Sequence, residues 1–331
     1  MYKIAVFNVR EEEIPYINEW IVDKDVEVGY IDGQLSMDNI HMVEGYDGIS
    51  TLQNTKVTAE MYPILKGYGI KQIAQRTAGF DNYDLEIASA NDIIISNVPS
   101  YSPESIAEFS LTAALMIVRK MRMIEAQTDK QDFRWIPPIR AKLVQEMTIG
   151  IIGTGLIGRK TAALYKGFGA HVIGYDLYPN DEAKTLLEYR DSIEDIIQEA
   201  DIVSLHIPAT EDNYHQFDLE LFKKFKKGAV FINAARGSIV DTEALIHVLD
   251  EGWLAGAALD TYENESIYVP EDFRNVKIED ELFVKVLNHD KILYTPHIAY
   301  YTDVSVRNMM VTSLDSTLEV LETGTTVNKV N

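Results

Sequence analysis

The chain has 331 residues, 46% of them hydrophobic and 25% charged, with a formal net charge of −22. The length suggests two domains, and the balanced composition excludes a mainly disordered protein. The negative charge disfavours nucleic acid and anionic membranes as partners, and no apolar run is long enough to cross a bilayer. The chain contains no cysteine, which excludes disulfides and zinc–thiolate sites and fits a reducing cytoplasm.

Short apolar runs alternate with helix-like stretches along the whole chain. A first series of strands is predicted near residues 3–8, 26–30, 47–52, 70–75 and 92–96. A helix over 103–125 and a polar connection over 126–147 follow. A second series of strands is predicted near residues 148–152, 171–175, 201–205, 229–233, 255–259 and 291–294. The last predicted element is a helix over 303–322.

Several of the predicted strands are continuously apolar, as in the Ile-Ile-Ile run at 93–95. Continuous rather than alternating apolarity is typical of parallel strands that are covered on both faces. Strands that alternate with helices along a chain favour a parallel sheet with helices on both sides. The sequence therefore predicts a doubly wound α/β protein.

A glycine-rich turn follows the first strand of the second series and reads Gly153-Thr-Gly155-Leu-Ile-Gly158. In this context Gly153 allows a tight turn, Gly155 lets a pyrophosphate approach the backbone, and Gly158 lets helix and strand pack closely. The next strand ends at Asp176, whose carboxylate would accept hydrogen bonds from both ribose hydroxyls of NAD. No Arg or Lys occurs in residues 177–180, so the sequence predicts NAD rather than NADP.

Reactive side chains follow four other strands of the second series, at the sheet edge where ligands bind in open α/β folds. They are His206, Arg236, Asp260 with Glu265 five residues later, and His297. The remaining histidines fit no position at this edge and are predicted to be structural or surface residues: His41, His171, His215, His247 and His289. No two histidines have the spacing of metal ligands, so no metal site is predicted.

An enzyme that transfers hydride to a 2-oxo acid needs three protein groups beside its cofactor. A cation must hold the substrate carboxylate, and the planar guanidinium of Arg236 suits this role. An acid must protonate the carbonyl oxygen, and the imidazole of His297 titrates near neutral pH. The carboxylate of Glu265 would orient that imidazole and raise its pKa. Asp260 is a candidate contact of the nicotinamide carboxamide, and His206 is either a packed or a cofactor-adjacent residue.

Four segments resemble the D-isomer-specific 2-hydroxyacid dehydrogenase family, and they are residues 153–158, 233–237, 259–265 and 295–301. Two more, Arg76-Thr-Ala-Gly-Phe-Asp and Ser96-Asn-Val-Pro-Ser-Tyr-Ser-Pro, are similar to those of its bacterial fermentative D-lactate and D-2-hydroxyisocaproate dehydrogenases. The resemblance implies two Rossmann-like or flavodoxin-like domains with parallel sheets. It implies that residues 1–100 and 300–331 form a discontinuous substrate domain, and that residues 101–299 form the NAD domain. D-stereochemistry and a homodimer are also implied by the resemblance.

The resemblance further implies a catalytic set of Arg236, Glu265 and His297, and it adds contacts for the cofactor and the substrate. The implied cofactor contacts are Leu156, Ile157, Asp176, Ile207, Pro208, Asn213, Ala234, Ala235 and Asp260. The substrate carboxylate would be held by the backbone N–H groups of Ala78 and Gly79 and by the Tyr101 hydroxyl. Leu52 and Tyr300 would line the pocket for the substrate side chain.

These residues predict an enzyme that reversibly reduces a 2-oxo acid with NADH. The pocket residues do not decide how large the side chain of that acid is. Leu52 stands where many lactate enzymes of this family carry a tyrosine, and an aliphatic residue there resembles the isocaproate enzymes, whereas a large aromatic such as Tyr300 tends to restrict the substrate. Pyruvate, giving D-lactate, is the expected substrate, with bulkier 2-oxo acids as the alternative. A D-3-phosphoglycerate dehydrogenase and an NAD-gated protein-binding module without turnover are further alternatives.

Overall fold

The computed structural model describes all residues from Met1 to Asn331. The chain forms two compact units, which we call the terminal unit and the central unit. The terminal unit consists of Met1–Ser102 and Tyr301–Asn331, and the central unit is the single segment Pro103–Tyr300. Each unit is built on a parallel sheet of its own, so the predicted α/β fold class is confirmed.

The terminal unit contains a five-stranded sheet in the order β2-β1-β3-β4-β5. Its strands are β1 (Tyr2–Phe7), β2 (Val26–Ile31), β3 (Gly48–Thr51), β4 (Gln72–Gln75) and β5 (Ile94–Ser96). Its helices are α1 (Ile14–Trp20), α2 (Met61–Gly67), α3 (Leu85–Ala90) and α12 (Asp303–Thr323). All five strands predicted for the first series are therefore present.

The last helix, α12, covers one face of this sheet. Met310 and Leu314 pack with Ile4 and Val6 of β1 in one buried cluster. A Cβ atom added to Gly48 would lie 2.6 Å from a methyl carbon of Thr317, so only glycine lets α12 approach β3 this closely. The core of the terminal unit is thus formed by residues from both ends of the chain.

The central unit contains a seven-stranded sheet in the order β12-β11-β10-β9-β6-β7-β8. Its strands are β6 (Thr148–Ile152), β7 (His171–Tyr175), β8 (Glu188–Tyr189), β9 (Ile202–Leu205), β10 (Val230–Asn233), β11 (Gly256–Leu259) and β12 (Ile292–Tyr294). Its helices are α4 (Pro103–Val118), α5 (Met121–Thr128), α6 (Leu156–Gly167), α7 (Asp181–Lys184), α8 (Ile193–Glu199), α9 (Leu219–Phe222), α10 (Thr242–Asp250) and α11 (Glu281–Asn288). No helix of the chain combines the length and the apolarity that a membrane span requires.

Two features of the central unit differ from the sequence prediction. The single helix predicted over 103–125 is wrong, because Lys120 adopts the left-handed conformation (φ +56°) and separates α4 from α5. Helix α4 buries an apolar face, whereas α5 has no buried residue, so packing does not hold the two in line. The two-residue strand β8 was not predicted, since so short a pairing leaves no periodic pattern.

The strand order of the central sheet reverses beside β6, with β7 on one side and β9 on the other. Ligands of open α/β sheets bind at such a switch point, beyond the carboxyl ends of the strands. Apolar clusters cover both faces of the sheet, with Ile152 in one and Ile151 in the other. The loops that carry the predicted functional residues therefore stand on a rigid base.

Candidate active site

The glycine-rich turn after β6 has the geometry that its sequence predicts. Gly153 adopts φ +92°, and a Cβ atom there would lie 2.4 Å from the carbonyl oxygen of His206. A Cβ atom on Gly158 would lie 1.9 Å from the Gly153 carbonyl oxygen, so this helix turn also requires glycine. Beside Gly155, in contrast, the space is open. The first turn of α6 has no side-chain cap, which leaves backbone N–H groups for an anionic ligand such as a pyrophosphate.

Asp176, at the end of β7, is tied to this turn by three protein donors. The N–H and the hydroxyl of Thr154 donate to its Oδ2 at 2.6 and 3.1 Å, and the Tyr178 N–H donates to Oδ1 at 2.9 Å. The hydroxyl of Tyr189 lies 2.7 Å from that of Thr154, which connects β8 to the same network. The carboxylate is therefore held beside the turn, and the open space at Gly155 together with this fixed acid fits an NAD molecule.

Arg236 follows β10, and its backbone is fixed from both sides. The side chain of Asn233 accepts from the Ala235 N–H at 3.0 Å and donates to the Arg236 carbonyl at 2.9 Å. A Cβ atom on Gly237 would lie 2.2 Å from the backbone carbon of Tyr262, so glycine lets these two loops touch. The loop of Arg236 is thereby packed against the segment that leads to Glu265.

Glu265 and His297 form a hydrogen-bonded pair, as the sequence predicts. Nδ1 of His297 lies 2.8 Å from Oε1 of Glu265, and the other carboxylate oxygen accepts from the Tyr262 N–H at 3.0 Å. His297 adopts φ +53°, an uncommon conformation for a residue other than glycine that the surrounding loop must enforce. The carboxylate thus fixes the orientation of the imidazole and leaves its Nε2 for other partners.

Asp260 fixes the conformation of the loop that contains His297. Its carboxylate is buried and accepts from the Thr295 hydroxyl at 2.6 Å and from the N–H groups of Ile298 and Ala299 at 3.0 and 2.9 Å. Its carbonyl oxygen accepts from the His297 N–H at 2.8 Å. The sequence predicts a nicotinamide contact at Asp260, and these four bonds give the residue a positioning role for His297 that was not predicted.

The surroundings of His297 raise its pKa above the ordinary value of an imidazole. Burial disfavours the charged form, but the hydrogen bond and the negative charge of Glu265, helped by Asp260, outweigh burial. The positive charge of Arg236 acts in the opposite direction and lowers this pKa. The pair therefore keeps a proton available on His297 around neutral pH.

His206 has a different character. Burial lowers its pKa to about 4, and its Nε2 lies 3.0 Å from the Ser204 hydroxyl. It is therefore a neutral imidazole at the end of β9, unsuited to be the proton donor. Asn213 folds back on its own loop and donates to the Pro208 carbonyl at 2.8 Å.

The remaining predicted cofactor contacts all lie at the carboxyl edge of the same sheet, Leu156 and Ile157 in the first turn of α6 and the others on the loops after β9 and β10. Leu156 is exposed, Ile157, Ile207 and Ala234 are half-buried, Pro208 is exposed and Ala235 is buried. A surface of backbone and aliphatic side chains of this kind suits the uncharged parts of a dinucleotide.

The predicted substrate contacts are divided between the two units. Ala78 and Gly79 lie on a loop after β4, where their carbonyls accept from the Asn97 amide at 2.7 Å and the Thr77 hydroxyl at 2.8 Å. Leu52 follows β3 and is half-buried. Tyr101 also belongs to the terminal unit, one residue before its first segment ends at Ser102. Tyr300 belongs to the central unit, with its ring centroid 6.5 Å from that of His297.

Comparison with known proteins identifies the family. Residues 111–299 match the family described as D-isomer specific 2-hydroxyacid dehydrogenase, NAD binding domain. A D-lactate dehydrogenase from Streptococcus agalactiae is 50% identical over 329 residues, which cover 99% of this chain and 100% of that protein. A crystal structure of a D-lactate dehydrogenase from Treponema pallidum superposes with a TM-score of 0.93 at 40% identity, over 99% of both chains. The structure of a D-2-hydroxyisocaproate dehydrogenase gives a TM-score of 0.92 at 36% identity, also over 99% of both chains. The chain therefore belongs to the family of D-isomer specific 2-hydroxyacid dehydrogenases, which makes it an NAD-dependent oxidoreductase.

Proposed function

We propose that this protein is a D-lactate dehydrogenase that reversibly reduces pyruvate to D-lactate. The observation that carries the proposal is the pair of His297 and Glu265, 2.8 Å apart, with the segment that leads to Glu265 packed against the loop of Arg236. The relatives named D-lactate dehydrogenase, which match over the full length of the chain, support the same reaction. The substrate-domain role of the terminal unit is part of this proposal.

Each residue of the set has a separate task in the proposed reaction. The turn at Gly153–Gly158 and the carboxylate of Asp176 would hold NADH, which supplies the hydride when it is bound. The guanidinium of Arg236 binds the substrate carboxylate through two parallel hydrogen bonds. Protonated His297 donates its Nε2 proton to the carbonyl oxygen, and Glu265 stabilises the charged imidazole before the transfer. In the reverse direction neutral His297 takes the proton from the hydroxyl group of D-lactate.

The choice of substrate is tested by comparing pyruvate, 2-oxoisocaproate and phenylpyruvate in NADH oxidation, followed by chiral analysis of the product. We expect the highest kcat/KM for pyruvate and D-lactate as its product. Because a methylene group of pocket fit is worth only about 1–3 kcal/mol, measurable activity with the bulkier acids is also expected. A preference for the bulky acids would make Leu52 the pocket determinant. NADH binding without any turnover would instead support a protein-binding function.

The rate of reduction should depend on pH through His297. Its raised pKa means that the protonated form, which reduction requires, persists to higher pH than in a free imidazole. In Glu265→Gln the charge is lost while burial still disfavours the imidazolium, so the high-pH limb of the profile should move to lower pH. Glu263→Gln is the matched control, since Glu263 pairs with His215 instead, 3.0 Å away. Profiles that coincide for the wild type and Glu265→Gln would exclude this role of Glu265.

We also propose that the protein acts as a homodimer and that it works in the cytoplasm. The connection between α5 and β6 carries apolar side chains that no part of the chain covers, with Trp135 98% and Phe133 73% exposed. Such a surface is typical of a protein interface. Trp135→Asp should shift the species seen in sedimentation velocity from a dimer to a monomer, whereas Val327→Asp, at a residue that is 90% exposed elsewhere on the chain, should not. A monomeric wild type would contradict the proposal.

A further inference from the structure

A cation lies close to the carboxylate that would bind the adenosine ribose. Arg159, in the first turns of α6, donates from Nη1 to the Thr154 carbonyl at 3.1 Å. The N–H of the same Thr154 donates to Asp176 at 2.6 Å. The guanidinium and the carboxylate therefore hold the two ends of one residue. The sequence gives no sign of this, since Arg159 precedes Asp176 and lies outside the stretch after β7 where a phosphate-binding cation is expected.

Glu182 binds this guanidinium. Its Oε2 lies 3.0 Å from Nε of Arg159, whose side chain is 21% exposed, while that of Glu182 is 79% exposed. An ion pair with so exposed a carboxylate adds little to the stability of a fold, so folding alone does not require it. Its larger consequence is electrostatic, because the pair offsets the positive charge of Arg159 next to Asp176.

The chemistry of a 2′-phosphate gives this arrangement a meaning. A phosphate monoester carries nearly two negative charges at neutral pH, and Arg binds it through parallel hydrogen bonds. In related folds an Arg near the ribose accommodates this phosphate, whereas an acid rejects it. This chain contains both groups, an acid at Asp176 and a cation at Arg159. The cation already forms an ion pair with Glu182.

We propose that Glu182 is a specificity determinant that withholds Arg159 from a 2′-phosphate and so adds to the preference for NADH over NADPH. The inference rests on the proposed function through the site of the cofactor ribose, but not on turnover. It assigns discrimination to two carboxylates with different tasks. Asp176 repels the phosphate directly, and Glu182 removes the group that would attract it.

Binding titrations test this inference without any reaction. Dissociation constants for NADH and NADPH are measured by nucleotide fluorescence for the wild type, Glu182→Gln and Arg159→Gln/Glu182→Gln. In Glu182→Gln we expect NADPH to bind about fivefold more tightly, a gain of the size of one exposed ion pair, with little change for NADH. The double variant should lose this gain. Asp181→Asn is the matched control, because Asp181 pairs with Lys184 at 2.8 Å and not with Arg159.

The same titrations in Asp176→Ser and Asp176→Ser/Glu182→Gln measure the effect without the direct repulsion. Freeing Arg159 should again tighten NADPH binding, so the two gains add. If NADPH binding tightened equally with and without Arg159, Glu182 would act only through its negative charge and not through Arg159. If NADPH binding tightened neither in the wild-type nor in the Asp176→Ser background, Glu182 would not be a specificity determinant. If the wild type did not bind NADH, the proposed function itself would be wrong. The titration of the wild type with NADH shows this without any of the variants.

Discussion

His297→Asn will lower kcat for pyruvate reduction by about a thousandfold, which is the usual contribution of a well-placed general acid. Asparagine is chosen because residue 297 adopts the left-handed conformation, which Asn tolerates better than most side chains. The loop held by Asp260 should therefore keep its shape while the proton donor is lost. Steady-state reduction of pyruvate gives kcat, and NADH fluorescence gives the dissociation constant, which should stay within about twofold because His297 is not a predicted cofactor contact.

The matched control for this variant is His247→Asn. His247 is half-exposed on α10 and pairs only with Glu251 one helix turn away, so its replacement should leave kcat unchanged. Pyruvate reduction near the wild-type rate in His297→Asn would mean that another group supplies the proton.

Arg236→Lys should reduce kcat/KM for pyruvate by about a hundredfold. The lysine keeps the positive charge but cannot form two parallel hydrogen bonds with a carboxylate, so both substrate binding and its orientation suffer. We expect a higher KM together with a lower kcat, and an unchanged dissociation constant for NADH. Addition of guanidinium to Arg236→Ala should restore part of the activity, which a purely structural residue would not show.

Arg274→Lys provides the comparison, because Arg274 is exposed and binds only the neighbouring Asp272. Its kinetics should match those of the wild type. If Arg236→Lys behaved in the same way, the substrate carboxylate would have to be held elsewhere, with the backbone of Ala78 and Gly79 as the next candidate.

The strands and the glycine turn could be predicted because their causes are local. Continuous apolar runs mark buried parallel strands, and Gly153 and Gly158 are needed for contacts within a few residues or with an adjacent strand. The candidate site could be predicted for the same reason, since Arg236, Asp260 and His297 lie within three residues of the ends of strands, and Glu265 lies five residues after Asp260. The discontinuous terminal unit came only from the family resemblance, because a local pattern does not say which sheet α12 covers.

What the sequence did not reveal depends on side chains that meet from distant positions. The position of Asp260 after a strand marks it as a candidate site residue, but its positioning role becomes visible only through its donors from residues 295–299. Arg159 on α6 and Glu182 on α7 are 23 residues apart in the sequence and become partners only in the fold. The break at Lys120 reflects the end of buried apolar surface, which the apolar pattern of 103–125 does not mark.

The division of the terminal unit into two chain segments also sets the order in which a newly made chain can complete its units. The central unit is continuous, so its seven strands have all been synthesised before α12 is made. Until then Ile4 and Val6 of β1 lack the side chains of Met310 and Leu314 that cover them. The terminal unit is thus begun first and completed last. A chain that stops before Asp303 contains every residue of the cofactor-binding central unit, but it lacks the helix that covers the apolar residues of β1.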